Sequence, residues 1–375
     1  MNFRKTTLVL SSLSLMVGSW SYPHSALALD PIIRPYQSAR SAGMGGVRMT
    51  TGLYDENFFN NPARVMANPE TKFTLFEFMP VDTSANSLSV LQNVSGTSNL
   101  GNTLGALSGK VLHTRTQVVM PAFYLASNED RDYAFAFGLV GSFQLDSVLE
   151  RSYRLGSSLI GDIGPAFTFG HSFLADDSLS IGVTAHLTYR VSATPNYGIV
   201  DYLSGNSFSL SGISGNGSMF NFDLGATYDF AEWNDFEFSA ALAIQNLLPG
   251  TYGNLPIKFL NLSSLPTEQP TSIGLGLSVS REELGFLEET TFAIEATDLL
   301  NNPNGSFFKN LHLGLETHWK ALAARVGLNQ GYWTAGLGLD FHYLTLNLAT
   351  YAEEMSLNTG ILEDRRYALS LGVHI

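Results

Sequence analysis

Seven ionisable side chains on the polar faces of predicted strands are the residues of this sequence best suited to chemistry. They are His186, Arg190, Asp223, His312, Glu316, His318 and Asp340. Side chains at alternate strand positions share one face of a sheet. Such a set can form a polar track with a site for a ligand head group, or a network of opposite charges that fills a barrel. We favour the filling network, because the interior of a barrel is packed with side chains whatever the barrel carries.

Metal binding and catalysis find little support. His312 and His318 fall six residues apart on one strand, which separates them by ~20 Å, too far to share one ion. The chain has no Cys, and this excludes disulfides and thiolate metal sites. No G-x-S-x-G or Walker sequence occurs. A barrel enzyme with a Ser/His/Asp set stays an alternative, but no set has a telling spacing. The sequence therefore predicts no metal, no cofactor and no enzymatic activity.

The last strand shows most clearly how these side chains are held. From Arg365 to Ile375, one face carries Tyr367, Leu369, Leu371, Val373 and Ile375. The other face carries Arg366, Ala368, Ser370, Gly372 and His374. A strict period of two predicts a β-strand with one apolar and one polar face. A chain ending inside a strand must pair that strand on both sides or leave an open edge, so we expect a closed barrel.

The same pattern recurs along the chain and predicts fourteen strands. They are Thr71–Met79, Val111–Leu125, Tyr133–Leu145, Leu159–Leu174, Ser178–Ser192, Met219–Phe230, Phe236–Asn246, Thr271–Arg281, Thr290–Leu299, Phe308–Trp319, Ala321–Gln330, Tyr332–Phe341, Tyr343–Ala352 and Arg365–Ile375. Three long connections (82–109, 194–217 and 247–269) alternate with short turns. This asymmetry is typical of outer-membrane barrels, which have long extracellular loops and short periplasmic turns.

Composition favours a membrane barrel over a secreted β-sandwich. Phe and Tyr together number 40 of 375 residues, and only 14% of residues are charged. The polar strand faces are mostly Gly, Ser, Thr, Asn and Ala, which suits a lumen better than a water-washed sheet surface. After the N-terminal segment, no apolar run reaches the ~18 residues of a spanning helix. The net charge of −13 gives no electrostatic basis for nucleic-acid binding.

The N-terminus predicts export. Residues 1–28 begin with Arg4 and Lys5, continue through an apolar run and close with Ala26-Leu27-Ala28. This is the pattern of a cleaved secretory signal peptide; a membrane anchor is the alternative. Cleavage would leave a chain of net charge −15. With the barrel pattern, it predicts the outer membrane of a Gram-negative bacterium, with outer-membrane lipid as a partner.

Residues 29–70 do not alternate and precede the barrel, which spans 71–375. They contain Gly43, Gly45 and Gly46 in the run A-R-S-A-G-M-G-G, and Asn61, Pro62 and Ala63 in D-E-N-F-F-N-N-P-A-R. Glycines permit tight backbone and positive φ, and Pro62 can begin a short helix. We expect a compact hatch that plugs the lumen.

These two motifs resemble the N-terminal region of FadL/TodX-type outer-membrane transport proteins, and most of all that of their PorV-like relatives. The stretch from His312 to Phe341 resembles the same group. The resemblance implies a fourteen-stranded barrel with an internal hatch, in which Gly43, Gly45, Gly46, Asn61, Pro62 and Ala63 are hatch-motif residues.

Two functions follow from this resemblance. Fatty-acid members bind hydrophobic ligands near the hatch and release them sideways through the wall. Tyr54, Phe58, Phe59 and Phe73 would then be the ligand contacts for small hydrophobic compounds such as long-chain fatty acids. PorV-like members serve protein secretion or surface attachment, with envelope or secretion-system proteins as partners. The hatch here is shorter than that of the fatty-acid members, which argues against a full ligand-gating hatch. We expect the first function, with the second as the alternative.

Overall fold

The computed structural model describes residues 34–94, 108–150, 154–174, 178–194, 196–198, 214–262, 264–301 and 305–375. The predicted signal peptide and its cleavage site lie outside the described residues, as do residues 29–33 of the predicted hatch. Short helices occur only before β1, directly after it and before β11 within these ranges.

Strands make up most of the described chain. They are β1 (Lys72–Ser84), β2 (Val111–Leu125), β3 (Tyr133–Leu149), β4 (Arg154–Phe173), β5 (Leu179–Ala193), β6 (Asn196–Gly198), β7 (Ser214–Asp229), β8 (Glu237–Gln245), β9 (Ser272–Leu284), β10 (Leu287–Ala296), β11 (Leu311–Trp319), β12 (Leu322–Asn329), β13 (Tyr332–Phe341), β14 (Leu344–Glu354) and β15 (Glu363–His374).

Fourteen of these strands close into an antiparallel barrel, as predicted. Each wall strand pairs with its neighbours in the chain, and β1 pairs with both β2 and β15. The short β6 lies outside this ring and pairs only with β4. Residue Phe73 exchanges two backbone hydrogen bonds with Ile375, of 3.0 and 2.8 Å. Closure therefore satisfies the edges that the first and last strands would otherwise expose.

The two ends of the barrel differ as the sequence predicted. One end, which we call the short-turn end, holds the start of β1, the C-terminus and the tight turns near residues 230–236, 320 and 342. The other end, the long-loop end, holds three long connections: from β1 to β2, from β5 to β7, and from β8 to β9. Helix α2 (Ala85–Val94) follows β1 directly in the first of these connections.

Some predicted strand limits were wrong. Strand β3 continues to Leu149, β4 begins at Arg154, and β7 begins at Ser214 inside the predicted loop. Backbone pairing with the neighbouring strand extends these ends although their Gly and Ser residues have low strand propensity. Conversely, Phe308 belongs to the 3₁₀ turn Phe307–Asn310, and its N–H donates to the Ser306 hydroxyl at 3.3 Å.

Strict alternation fails within the first strand. A period of two would place Met79 on the same face as Phe73, but Met79 is buried in the lumen while Phe73 is exposed on the outside. The cause is a β-bulge between Thr74 and Phe76, which shifts the register against β15. One extra residue in a strand reverses the face of every residue after it. Glu77 accordingly faces inward.

The outer wall is apolar. The exposed large side chains include Phe137, Ile163, Phe167, Leu275, Leu277, Val326 and Leu337. Aromatic residues lie near both rims, with Trp233, Trp319 and Tyr343 at the short-turn end and Trp333 at the long-loop end. An apolar band between aromatic girdles is the outer surface of a transmembrane barrel.

The chain from Arg34 to Glu70 lies within the lumen, and we call this segment the hatch. It contains α1 (Ala39–Gly43) and two 3₁₀ helices, Tyr54–Asn57 and Pro62–Ala67. The first packs against β12 to β15 and the last against β3, β4, β5 and β7. The hatch therefore touches walls on opposite sides of the barrel.

Candidate functional site

The glycine run of the hatch lies directly against the barrel wall. The Thr334 hydroxyl donates to the Gly43 carbonyl at 2.9 Å and accepts from the Gly45 N–H at 2.9 Å. Gly45 and Gly46 have φ values of +72° and +87°, the left-handed region that favours glycine. A Cβ on Gly45 would also overlap the backbone of Leu313. Both conformation and contact thus require glycine here.

The Asn61-Pro62-Ala63 motif anchors the opposite side of the hatch. The Asn61 side chain accepts a hydrogen bond from the Ala63 N–H at 3.1 Å, which caps the helix that follows. Its amide donates to the Met49 carbonyl at 2.8 Å and to the Thr227 hydroxyl on β7 at 3.0 Å. One buried asparagine therefore joins two parts of the hatch to the wall.

Glycines on the lumen face of the strands make room for the hatch. At nine of them, an added Cβ would lie against hatch atoms. These are Gly138, Gly170, Gly182, Gly225, Gly274, Gly276, Gly314, Gly327 and Gly336. At Gly182 it would overlap the backbone of Pro62 and Ala63, and at Gly314 the Met44 carbonyl. The polar-face glycines thus form the seat of the hatch.

Buried ion pairs fix the hatch to β11 and β12. Arg40 contacts Glu56 within the hatch at 2.8 Å and Glu316 on β11 at 2.6 Å. Glu316 also pairs with Arg325 on β12. Removing one partner would leave a buried charge uncompensated, which is strongly destabilising. The cluster therefore resists displacement of the hatch.

A second anchor is the buried carboxylate of Glu295 on β10. It accepts hydrogen bonds from three consecutive hatch N–H groups, those of Arg48 at 2.9 Å, Met49 at 2.6 Å and Thr50 at 3.2 Å. Charge-assisted bonds of this kind are among the stronger ones in proteins. Sequence analysis missed Glu295, although its alternation with Ala293 and Thr291 on a strand was a usable signal.

The structure separates the four predicted ligand contacts. Phe58 is fully buried and packs on Tyr124, with ring centroids 5.8 Å apart. Phe59 is also buried, while Tyr54 is half-buried and stands edge-on to Tyr124 at 5.3 Å. Phe73 points outward, 38% exposed, so it does not share a site with the other three. Phe73 was predicted as a ligand contact because it is close to the hatch in sequence, and the face of the strand on which its side chain lies was not considered.

The seven predicted lumen residues all face inward but form separate groups. His186 approaches Asp223 at 3.4 Å and Arg190 pairs with Asp162 at 2.6 Å. His186 also lies beside the hatch, where its ring centroid is 5.2 Å from that of Phe59.

The remaining four are distributed along β11 and β13. His312 meets the Gly45 carbonyl at 3.0 Å, and Glu316 joins the Arg40 cluster. His318 stands 3.6 Å from Glu289 near the short-turn end. Asp340 lines the open cavity at that end. No single track of polar groups connects the seven predicted residues.

A larger buried network was missed by sequence analysis. Arg366 on β15 pairs with Glu353 at 2.9 Å, Asp364 at 2.7 Å and Asp146 at 3.6 Å. His113 on β2 then contacts Asp146 at 2.6 Å. Its members come from β2, β3, β14 and β15, so only the closed ring brings them together. The sequence signal that could have identified these residues is a charged side chain at alternate positions of a strand, between apolar residues.

The hatch crosses the lumen, and an open cavity lies on its short-turn side. This cavity has a volume of about 640 Å³ and a largely polar lining, and we call it the vestibule. On the long-loop side, a cavity of about 20 Å³ lies between Arg48, Met49, Gln245 and Gln269. The hatch thus lies between these two cavities.

Within the vestibule, Asp55 of the hatch has a perturbed carboxyl. Burial raises its pKa to about 6, the neighbouring Glu56 carboxylate adds to the rise, and a hydrogen bond from the Tyr36 hydroxyl opposes it. The half-buried Asp55 is therefore a titratable group in the underside of the hatch.

The wall is interrupted between β7 and β8. Strand β8 pairs with β7 only from Leu224 to Asp229, so the long-loop half of β7 is paired with β5 but has no strand on its β8 side. The connection 246–271, which we call the wall loop, occupies that position. Its Gly253 N–H donates to the Ser218 carbonyl at 2.8 Å. The Asn254 side chain bonds both the N–H and the carbonyl of Phe220 at 3.1 Å.

The wall loop crosses from the outer face of the barrel to the lumen. Outside, Phe259 packs on Tyr189 with a ring-centroid distance of 4.7 Å, yet is itself 73% exposed. Inside, the Thr267 carbonyl accepts from Arg190 at 3.1 Å, and its N–H donates to the Ser192 hydroxyl at 2.8 Å. The loop therefore forms a non-strand section of the wall.

Other kinds of site are not found in the described ranges. No group of three or more His, Asp or Glu side chains there could hold a metal ion. None of the helices of this part of the chain is long and apolar enough to cross a membrane.

Comparisons with known proteins find a likeness in structure alone. No protein-family model matches the sequence, and no curated protein does. A deletion mutant of the TodX monoaromatic hydrocarbon channel aligns with a TM-score of 0.52 and 14% identity, covering 90% of this chain and 98% of that one. The toluene transporter TbuX of Ralstonia pickettii aligns with a TM-score of 0.51 and 14% identity, over 89% and 96%. At this identity, the likeness establishes the outer-membrane barrel fold and not the function.

Proposed function

We propose that this barrel passes small hydrophobic compounds, such as long-chain fatty acids or monoaromatic hydrocarbons, across the outer membrane. The observation that carries the proposal is the interrupted wall beside β8, where the wall loop replaces a strand. The names of the two structural neighbours, a monoaromatic hydrocarbon channel and a toluene transporter, support the same class of substrate.

A route through the wall agrees with the chemistry of the lumen. The hatch lies across the lumen, and the vestibule on its short-turn side is polar. Apolar surroundings stabilise an apolar compound relative to water by about 25 cal/mol per Å² of its surface. A compound entering the polar vestibule would lose this stabilisation. A path between β7 and β8 leads instead to the hydrocarbon core of the membrane.

The wall loop has the properties of a gate on that path. Leu260, Ile257 and Phe259 expose apolar surface on it, which suits a hydrophobic compound arriving from outside. Few backbone hydrogen bonds tie it to β7, and several of its links run through Asn side chains. Segments held in this way open at lower free-energy cost than paired strands.

The test is uptake of radiolabelled palmitate and of toluene by cells of a strain that lacks its own transporter. Cells that make this protein should take up at least one of the two several-fold faster than cells with an empty vector. If the barrel is folded in the outer membrane and cells take up each compound no faster than empty-vector cells, the result would count against transport.

A second function is favoured by the anchored hatch. The Arg40–Glu316–Arg325 cluster and the Glu295 carboxylate hold it in place, as a barrel that never opens would require. Such a protein would act as a PorV-like partner in secretion or surface attachment. It would co-purify in fixed ratio with an envelope protein and show no uptake. In neither function does any residue of the chain act as a catalyst.

A further inference from the structure

One buried side chain joins the wall loop to the rest of the wall. Arg190 on β5 is fully buried, and its guanidinium donates two hydrogen bonds to the Asp162 carboxylate on β4, of 2.7 and 2.6 Å. It also donates to three consecutive residues of the wall loop. The acceptors are the Thr267 carbonyl at 3.1 Å, the Glu268 carbonyl at 3.5 Å and the Gln269 side chain at 2.9 Å. These five contacts match the five N–H donors of a guanidinium.

The same guanidinium also contacts the wall loop near its start. Tyr252 is only 2% exposed, and its ring centroid lies 4.8 Å from the Arg190 Cζ. A guanidinium within about 6 Å of an aromatic ring centroid is attracted to the face of that ring. Arg190 therefore holds the loop at two places, one before and one after the part that lies on the outer face of the barrel.

The wall leaves room for both parts of the loop at this level. Gly217 on β7 is the register partner of Arg190. An added Cβ at Gly217 would lie 3.2 Å from the Tyr252 Cβ and 3.4 Å from the Pro266 Cδ. The two parts of the loop thus meet Arg190 where the neighbouring strand has no side chain.

This arrangement differs from that of a charge network that only fills the lumen. In the described ranges, the hydrogen bonds of the Arg366 side chain go to other side chains, those of Asp364, Glu353 and Met355. Arg190 donates to two backbone carbonyls, so it fixes the path of the loop backbone as well as compensating a carboxylate. Hydrogen bonds from an ionised donor are among the stronger ones in proteins.

We propose that Arg190 is the latch of the wall loop. The loop opens when Thr267, Glu268 and Gln269 leave the guanidinium, and Arg190 sets how often this happens. Arg190 keeps its pair with Asp162 on β4 when the loop leaves, so opening does not strand a buried charge, which would be costly. The inference rests on the proposed function, in which this loop is the gate. Arg190 is a positioning residue, because it acts through the loop and not on the transported compound.

The experiment is hydrogen–deuterium exchange of the purified protein in detergent, read by mass spectrometry. The test variant is Arg190→Gln/Asp162→Asn, which removes the latch without leaving a buried charge unpaired. Amides of the wall loop, such as those of Gly253 and Gln269, should exchange at least tenfold faster than in wild type. Amides of β4 and β5 should exchange as in wild type, since local opening involves the loop alone.

Two further variants complete the experiment. Arg190→Lys should also speed exchange of the loop, because an ammonium can pair with Asp162 but lacks the planar fork that reaches the loop at the same time. The matched control is Arg366→Gln/Asp364→Asn, which removes a buried pair of the same kind on β15. Its wall loop should exchange as in wild type.

Three results would overturn the latch. They are wild-type exchange of the loop in either Arg190 variant, equal acceleration of the loop in the control, and acceleration of β4 and β5 together with the loop. The last result would show that Arg190 only stabilises the wall.

Uptake of palmitate and toluene by cells that make the same variants tests the proposed function separately. Faster loop exchange with faster uptake supports both the latch and passage through the wall. Faster loop exchange with unchanged uptake supports the latch and counts against passage through the wall.

Discussion

At the scale of single residues, the lumen is shaped by the side chains it lacks. The hatch backbone runs against wall positions where only a hydrogen atom fits, and at Gly182 it approaches through Pro62 and Ala63. Protein interiors are packed to crystal density, so even one methyl group is felt there. The position of the hatch therefore depends on the glycines of the wall as much as on the residues of the hatch.

The substitution Gly182→Ala should destabilise the seated hatch by about 1–3 kcal/mol, the usual cost of overpacking. The control is Gly161→Ala, because a Cβ at Gly161 would make only ordinary contacts, the nearest with Phe143 at 3.7 Å. Thermal unfolding in detergent measures both. An equal unfolding midpoint in the two variants would contradict the tight seat.

Titration of Asp55 predicts a pH dependence. Burial raises the pKa of its carboxyl to about 6 from the ordinary value of 3.8. A carboxyl with a raised pKa in the folded state binds more protons folded than unfolded, so stability falls as pH rises through this window. Asp55→Asn should remove the part of this fall that lies between about pH 4 and pH 6. The check is the unfolding midpoint against pH for both proteins; parallel curves would show that another group titrates.

At the scale of elements, the wall loop is the weakest section of the ring. A strand in its place would give β7 a regular ladder, whereas the loop gives it a few bonds, two of them from the Asn254 side chain. A segment held by few backbone hydrogen bonds opens locally at a lower free-energy cost than a fully paired strand does.

Removing the Asn254 side chain should therefore loosen the wall loop. Asn254→Ala is expected to speed uptake of the hydrophobic compound and to increase protease cleavage within the loop. Asn261→Ala is the control, since Asn261 is an exposed residue of the same loop. Faster protease cleavage without faster uptake would show that opening of the wall loop does not control transport.

Several of these elements were predictable and others were not. The period of two, the fourteen strands and the inward face of His186, His312 and Glu316 follow from local alternation. The bulge after Thr74 was not predictable, because nothing in the local pattern marks the extra residue. The Arg366 network depends on ring closure, which joins strands more than 200 residues apart in the chain.

At the scale of the whole molecule, the wall and the hatch are distinct structures. All fourteen wall strands pair around the ring without a hatch strand among them. The hatch adds ion pairs and packing from within, and the membrane covers the apolar outside. The barrel should therefore assemble without its hatch.

Deletion of residues 34–66 tests this independence. The shortened barrel should still migrate as a folded, heat-modifiable species on denaturing gels, and should conduct ions in planar bilayers far better than wild type. A point variant, Arg40→Met, should give a smaller rise in conductance, because it removes one anchor only. Failure of the deletion variant to assemble would mean that the hatch is part of the folding core.

The most direct measurement of the central claim fixes the wall loop in place. Ser218 and Leu255 are bridge partners across the interruption, and the chain has no Cys of its own, so Ser218→Cys/Leu255→Cys introduces a single possible disulfide. Uptake of the labelled compound should fall to the empty-vector level when the pair is oxidised and recover with reductant. The two single-Cys variants should respond to neither treatment. Unchanged uptake with the disulfide closed would contradict passage through the wall between β7 and β8.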